Sequence, residues 1–600
     1  MNTTKTHTAA AAAGHVHASH ISRLGDFTTN PRVLVISAIA LVVATAGVIA
    51  GLVLLNLIRL CTNLAYFGSA SLADLKLGAS PLGVAAIAVP VVGGLIVGCM
   101  ARYGTDKIRG HGIPEAIEAI LLGRSRLDAK VAILKPLSSA IAIGTGGPFG
   151  AEGPIIMTGG AIGSLIAQML PVSDSERKTL LVAGAAAGMT TVFGTPIAAI
   201  MLAVELLLFE WTPRSFVPVA AACILADVER SWLGLPNPLF PFHGGMPVSF
   251  EALGFWVLIG LLGGLLSSVL TQLVYACEDG FLKLPIHWMW WPALGGIVIG
   301  VGGYFEPQAL SVGYDNIAQM LRGEMLPAGG IVLLVVKAII WSVALGSGTS
   351  GGVLAPLLII GGSMGAALAG ILPHASPGFW ALLAMCATMG GTMRSPLTAT
   401  FFAVELTGNT HVLLPLIAAC ATAHLVTVLL MRRSILTEKV ARRGHHLARE
   451  YRVDPFALMR AGEVMSKPVQ TLPGSMTLHE VAAFLTSPET KHPSFPAVDA
   501  DGRLLGVVDP PAVMTWRRSG KHRRTTLAEL LAGTRWPVAY PDEYLEALIE
   551  RLTQSNVAHL PVVAREDSRV VGYISWRDLM RAQQRLKEEE TQRVVFYRVR

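Results

Sequence analysis

A glutamate set between glycines, Gly150-Ala151-Glu152-Gly153-Pro154, is the residue of this chain best placed to do chemistry. Apolar stretches flank it, and a carboxylate inside a membrane is costly enough to be functional by default. Pro154 suits the first turn of a helix. Glycines leave backbone N–H groups open, and a helix N-terminus carries roughly half a positive charge. An anion is welcome in such a place. A carboxylate there can stand in for the anion and leave when protonated. The plainer reading is an acid that merely favours the dipole of its helix, and the motif alone does not choose between the two.

Two further stretches share the design. Gly110-His111-Gly112-Ile113-Pro114-Glu115 and Gly348-Thr349-Ser350-Gly351-Gly352-Val353-Leu354-Ala355-Pro356 each run Gly-rich backbone into a proline and a helix. Gly and Pro also serve membrane helix packing, so each motif is weak singly. Three together predict a shared anion site. Two of them echo each other inside an internal repeat. Gly194 to Leu206 recurs as Arg394 to Leu406 at an offset of 200, and Gly146–Pro154 returns loosely as Gly346–Pro356 at 200 to 202. Repeated halves with Gly/Pro-interrupted segments at matching places point to a transport site at their interface. The repeat does not itself say whether the halves are inverted.

The elements that must position these motifs belong in a membrane. Hydrophobic residues make up 52% and charged residues 14%, against roughly 25% charged in soluble domains, and mean hydropathy is +0.55. Long apolar runs lie at Val33–Ile58, Leu82–Met100, Ala252–Tyr275, Ile331–Leu345 and Leu413–Met431; about 20 residues cover the hydrocarbon core. Shorter pieces, Ile155–Leu170, Leu180–Val192 and Pro196–Phe209, are broken by Gly and Pro. Such pieces are tolerated where other helices surround them or where they line a cavity. The membrane part is predicted to end at Met431. Arg432, Arg433, Lys439, Arg442 and Arg443 follow at once, which places the C-terminus in the cytoplasm.

The net charge of +7 draws on basic clusters at Arg432–Arg449 and Arg517–Arg524, neither interleaved with aromatics. That argues against nucleic acid as a partner and for a topology signal plus solvated surface. The six cysteines, Cys61, Cys99, Cys223, Cys277, Cys386 and Cys420, lie in or beside apolar segments without a CxxC. Buried thiols are expected, with no disulfide framework or zinc site. Residues 1–31 read as a disordered tail without a cleavable signal, and His7, His15, His17 and His20 as part of it and not a metal site. From Tyr451 the composition turns soluble. Two α/β units are readable, Ala461–Met514 with Phe495-Pro-Ala-Val-Asp and Leu504-Leu-Gly-Val-Val, and Thr526–Arg581 with Leu560-Pro-Val-Val and Val570-Val-Gly-Tyr-Ile. A charged tail, helical or frayed, follows from Gln583.

With these motifs the chain resembles the CLC family of chloride channels and chloride/proton exchangers over residues 32–443, and CBS modules over 459–520 and 525–585, leaving a tail at 586–600. The family's three anion-site signatures, GSGIP, G(K/R)EGP and GxFxP, are similar to Gly110–Pro114, Gly150–Pro154 and Gly352–Pro356, in the same order. The resemblance implies a multi-pass α-helical cell-membrane protein with an inverted two-fold repeat and broken helices, plus a cytoplasmic α/β CBS pair. It implies a homodimer with one pore per subunit, chloride as the substrate, and no required cofactor. By it Glu152 is the gating glutamate. Gly110, His111, Gly112, Ile113, Pro114, Gly150, Ala151, Gly153, Gly352, Val353, Leu354 and Ala355 surround the anion, and Lys135 adds positive potential.

The departures bear on mechanism. His111 stands where serine is usual: its imidazole N–H can donate to chloride, or backbone amides supply the contacts and leave it incidental. Leu354 replaces a phenylalanine and Ala151 a basic residue. Leu436 falls on the family's pore tyrosine, which implies a looser inner constriction. Leu206 occupies the place of the exchangers' internal proton glutamate, just after Glu205. Glu205 and Glu405 themselves read as structural acids. Together these imply Glu152-gated chloride transport leaning to channel-like conduction. The alternative is a chloride/proton antiporter in which water relays the protons. A CBS-bearing divalent-cation transporter would need carboxylate clusters in the spans, and an enzyme a nucleophile–base pair or metal cluster; the spans carry neither. The CBS resemblance implies an adenine nucleotide. Its ribose pattern, Gly-x-x-Ser/Thr-x-x-Asp, is matched at Gly572-Tyr-Ile-Ser575-Trp-Arg-Asp578 and broken at Gly506-Val-Val-Asp-Pro-Pro-Ala. One site on Ser575 and Asp578 is the most to expect, and a purely structural pair is the other reading.

Overall fold

Proline- and charge-poor apolar stretches become long helices, and Gly/Pro punctuation cuts the rest into short ones. The structure, a computed structural model, describes residues 31–444, 456, 459–487, 492–534 and 536–591. The predicted N-terminal tail with its four histidines, the Arg449 end of the first basic cluster and the last residues of the charged tail lie outside the described residues. The chain divides into two units that part after Gly444.

The first half of the membrane unit runs α1 (Arg32–Phe67), α2 (Ala88–Tyr103), α3 (Ile113–Leu121), α4 (Ala129–Gly144), α5 (Glu152–Gln168), α6 (Asp174–Phe193), α7 (Pro196–Leu202, prolonged by a π-helix over Ala203–Leu208) and α8 (Pro213–Trp232). The second half repeats the order: α9 (Phe250–Leu282), α10 (Trp291–Phe305), α11 (Tyr314–Leu321), α12 (Pro327–Gly346), α13 (Leu354–Leu368), α14 (Phe379–Met393), α15 (Pro396–Thr407) and α16 (Leu413–Leu430), with α17 (Ile435–Arg442) closing the unit. Among the described residues, five segments are long and apolar enough to cross a membrane, Arg32–Phe67, Gly83–Tyr103, Phe250–Leu282, Pro327–Gly346 and Leu413–Arg442. They coincide with the five apolar runs of the sequence.

The broken helices are the surrounded ones. Most residues of α5, α6, α13 and α14 are buried, so their backbone ends meet protein and not lipid. Small residues make that packing possible. A Cβ on Gly159 would overlap the Gly184 carbonyl oxygen, and one on Gly184 would overlap that of Gly159. α13 and α14 approach in the same way, where a Cβ on Gly361 would lie 2.6 Å from the Ala384 oxygen. α7 and α15 each start on a proline, where the missing N–H is no loss.

Where the halves meet they run antiparallel. Gly150 and Gly352 form an antiparallel bridge, with Gly352 N–H donating to the Gly150 oxygen at 2.9 Å and Gly150 N–H to the Gly352 oxygen at 3.3 Å. The shared Ala-Val-Glu motif closes a second reciprocal contact. Glu205 at the end of α7 accepts from the N–H groups of Leu397 (3.2 Å) and Thr398 (2.8 Å) at the start of α15. Glu405 at the end of α15 accepts from Ile197 and Ala198 at the start of α7, both at 2.8 Å. Each acid caps the other half's helix, consistent with the structural role expected of them.

One expectation is corrected. Beyond Met431 the chain packs on as α17: Ser434 caps it through a reciprocal box with Thr437, and Ile435, Leu436 and Val440 are buried. The first basic cluster is therefore not all solvated surface. Lys439 pairs with Glu115 at 2.9 Å, and Arg443 with Glu115 at 3.0 Å and Glu118 at 2.5 Å, which fastens α17 to α3.

The second unit holds a three-stranded sheet, β1 (Leu472–Pro473), β2 (Phe495–Val498) and β3 (Leu504–Val508), and a two-stranded one, β4 (His559–Val563) and β5 (Val570–Ser575). Its two cores do not follow the two units read along the sequence. Ala461 and Met465 pack with Leu545, Leu560 and Ile574, while Leu527 and Leu531 pack with Leu472, Phe495 and Val508. The opening segment of each unit is buried in the other's core, because each supplies the apolar face that the other's sheet lacks.

Candidate functional site

Glycine is what lets the three motifs touch. Gly112 holds φ +90° at the N-cap of α3, and a Cβ there would lie 2.8 Å from the Gly153 oxygen. A Cβ on Gly153 would overlap the His111 carbonyl, and one on Gly352 would come 2.6 Å from the Gly150 oxygen and 2.7 Å from the Glu152 carboxyl carbon. Gly351 N–H donates to the Gly110 oxygen at 3.4 Å. Gly110–Pro114, Gly150–Pro154 and Gly351–Ala355 thus converge, with the N-termini of α3, α5 and α13 meeting in the interior.

Glu152 is fully buried at the first position of α5, yet its carboxylate serves the other half. Oε1 accepts from the Leu354 N–H in a short bond and from the Ala355 N–H at 3.2 Å. Oε2 is buried and has no partner among the described residues. The plainer sequence reading, an acid favouring its own helix, is therefore incomplete: the side chain crosses to the positive end of α13. Two converging amides at a buried helix N-terminus are donors for one anion, and here the carboxylate oxygen holds that position.

Lys135 on α4 is fully buried, and its Nζ donates to the Gly110 oxygen at 2.7 Å and the Ile108 oxygen at 2.9 Å. It shapes the loop entering α3 and places a cation under it. Glu115 completes that loop by accepting from the Gly112 N–H at 3.0 Å. His111 is buried, and its Nδ1 has no partner among the described residues. Ala151, Ile113, Pro114 and Val353 are buried packing around the glycines. Leu206 is fully buried in the π-helix after α7, and Leu436 is fully buried at the start of α17. Neither carries a group that can hold a proton.

The sequence reading missed two features of this unit. Lys337 on α12 is the repeat mate of Lys135, fully buried, with Nζ donating to the Ala309 (2.8 Å) and Ser311 (2.9 Å) oxygens. Carrying the repeat offset from Lys135 forward would have found it. Ser350, inside the third motif, meets Ser138 at 3.2 Å and Ser139 at 2.8 Å in a buried hydroxyl cluster; no local signal marks it.

Ser575 and Asp578 belong to the second unit, where they line a cavity of about 430 Å³ with Ser466, His559, Tyr573 and Arg577. Asp578 Oδ2 accepts from the Ser575 N–H (2.9 Å) and hydroxyl (2.6 Å), and Oδ1 from the Ser466 hydroxyl at 3.1 Å. The His559 and Tyr573 rings stack with centroids 5.7 Å apart. Burial pushes the Tyr573 phenol up to about 12 and holds the His559 imidazole below its ordinary value, so both are neutral near pH 7. The cavity offers flat apolar walls, a carboxylate and a guanidinium.

The family model described as voltage gated chloride channel matches residues 93–428, and the CBS domain model matches 461–516 and 532–585. The chain is 29% identical over 383 residues to the H(+)/Cl(-) exchange transporter ClcA of Vibrio campbellii, covering 60% of this chain and 80% of that protein. It is 28% identical over 370 residues to the voltage-gated ClC-type chloride channel ClcB of Shigella flexneri, covering 59% and 86%. Among solved structures, a eukaryotic CLC transporter superposes with a TM-score of 0.58 at 18% identity, over 91% of this chain and 97% of that one.

Proposed function

The chain belongs to the voltage gated chloride channel family and carries a CBS pair, and from that premise we propose that it passes chloride across the cell membrane through a path gated by Glu152. One observation carries the reading: Glu152 Oε1 occupies the amides of Leu354 and Ala355. Chloride needs the same donors, so carboxylate and chloride compete. Protonation cancels the carboxylate charge, weakens both bonds and yields the donors to the ion. Gly110–Gly112, Gly150–Gly153 and Gly352–Ala355 supply backbone approach, and Lys135 supplies positive potential. Leu206 supports channel-like conduction, since it offers no proton a stepping stone from the inner face. The relatives named as exchange transporters favour the second reading, a chloride/proton antiporter.

The working protein is a homodimer with its C-terminus in the cytoplasm, and the cavity at Ser575 and Asp578 takes an adenine nucleotide: Asp578 suits ribose hydroxyls, the aromatic pair suits a base, and Arg577 suits phosphate. The deciding experiment is chloride efflux from liposomes. Wild-type flux rises as pH falls, and Glu152→Gln flux does not respond. Equal pH response in both removes Glu152 from the gate.

A further inference from the structure

Arg109 stands one residue before the first anion motif and takes no part in the site described so far. Its guanidinium lies over the Trp288 ring at 4.5 Å and the Trp291 ring at 5.8 Å from the centroids. Close against its Nε and Nη2 is Gly348, the start of the third motif, whose φ is +79°; a Cβ there would lie 2.9 Å from Arg109 Nη2 and 3.1 Å from Nε. Among the described residues the guanidinium makes no hydrogen bond and no ion pair, and its Nε is buried without a partner. Asp106, Glu115, Glu278 and Arg443 lie within electrostatic range but are not bonded to it. Glu115 is held by Lys439 and Arg443, and Glu278 by Arg442 at 3.7 Å.

An arginine serving only as packing would be expected to spend its donors on carbonyls, as Arg230 does with Thr191 and Pro236. Arg109 is oriented by two indole faces, which fix the plane and leave the N–H edge unspent. A guanidinium is always charged and weakly hydrated, so it exchanges water for a soft anion at little cost. Its backbone continues into Gly110, whose oxygen is shared by Lys135 and Gly351. We propose that Arg109, clasped by Trp288 and Trp291 between Gly110 and Gly348, is a separate binding station for small monovalent anions that feeds the Glu152 site from the side where α17 packs. The inference rests on the reading of the protein as an anion carrier and adds a place where the ion waits. A fixed cation at the mouth of a low-dielectric path raises the local anion concentration and so the rate of loading.

The test is chloride efflux from liposomes across a range of chloride concentrations, with wild type, Arg109→Gln, Trp288→Leu and, as a charge control, Arg322→Gln. Arg322 is exposed and pairs with Glu324 at 3.6 Å. Arg109→Gln is expected to raise the half-saturating chloride concentration about threefold to tenfold, Trp288→Leu to raise it in the same direction, and Arg322→Gln to leave it unchanged. Crystals of wild type in bromide should show an anomalous peak within contact of Arg109 that Arg109→Gln lacks. A wild-type half-saturation in Arg109→Gln, or no peak beside Arg109 in wild type, overturns the station while leaving chloride transport standing. Wild-type vesicles that pass no anion overturn the transport reading itself.

Discussion

Glu152 draws its donors from Leu354 and Ala355, residues two hundred positions away, so its hold on them is set by one charge and two amides. Hydrogen bonds to a charged group are worth about 1.5–3 kcal/mol each, and every 1.4 kcal/mol is about tenfold in occupancy. Chloride efflux from wild-type liposomes should therefore climb roughly tenfold or more as pH falls far enough to protonate Glu152. Glu152→Gln should match or exceed that acid rate and stay flat with pH, as read by a chloride electrode. The second prediction concerns Glu115, buried and held by Lys439, Arg443 and the Gly112 N–H. Lys439→Met strips one of two cations from a buried carboxylate, short of the roughly 3–5 kcal/mol cost of removing a sole partner. Thermal unfolding in detergent should move down by several degrees.

Helix ends are where the two halves are sewn together. Glu205 and Glu405 cap each other's helices, and losing a cap costs about 0.5–2 kcal/mol. Glu205→Ala and Glu405→Ala should each lower the melting temperature, and to a similar degree because the contacts are two-fold related. The close approach of α3, α5 and α13 makes a sharper prediction. Gly153→Ala would drive a methyl into the His111 carbonyl, which is backbone and cannot yield, whereas Gly329 on α12 has nothing within 4 Å of a Cβ. Gly153→Ala should abolish chloride flux and Gly329→Ala should preserve it. The glycine motifs were legible in sequence because a strained turn needs a residue without a side chain. Which carbonyl each glycine faces was not, since the facing residue lies in another helix.

For the whole molecule the open quantity is coupling. A chloride gradient across wild-type liposomes should drive little proton movement, because Leu206 and Leu436 are buried aliphatics; a fixed proton-to-chloride ratio measured with a pH electrode would make the protein an exchanger. In the second unit, Asp578→Ala should weaken binding of adenine nucleotides at least tenfold by calorimetry on the full-length protein. The two CBS repeats were readable as units, but their exchanged opening segments were not. Ala461 and Leu527 each pair with strands far along the chain, and composition carries no signal for which of two similar sheets a short helix will cover.

The sequence by itself determined the membrane setting, the two-fold repeat, the three glycine-rich helix starts and the glutamate set between glycines at Glu152. These are local properties: hydropathy, periodicity, and the need for Gly and Pro at particular backbone angles. Tertiary structure alone decided that Glu152 reaches across to α13, that the basic residues after Met431 hold a buried acid, and that Arg109 keeps its donors unspent between two tryptophans. Each of these depends on the distance between groups far apart in the chain, and that distance is fixed only when the two halves close on one another.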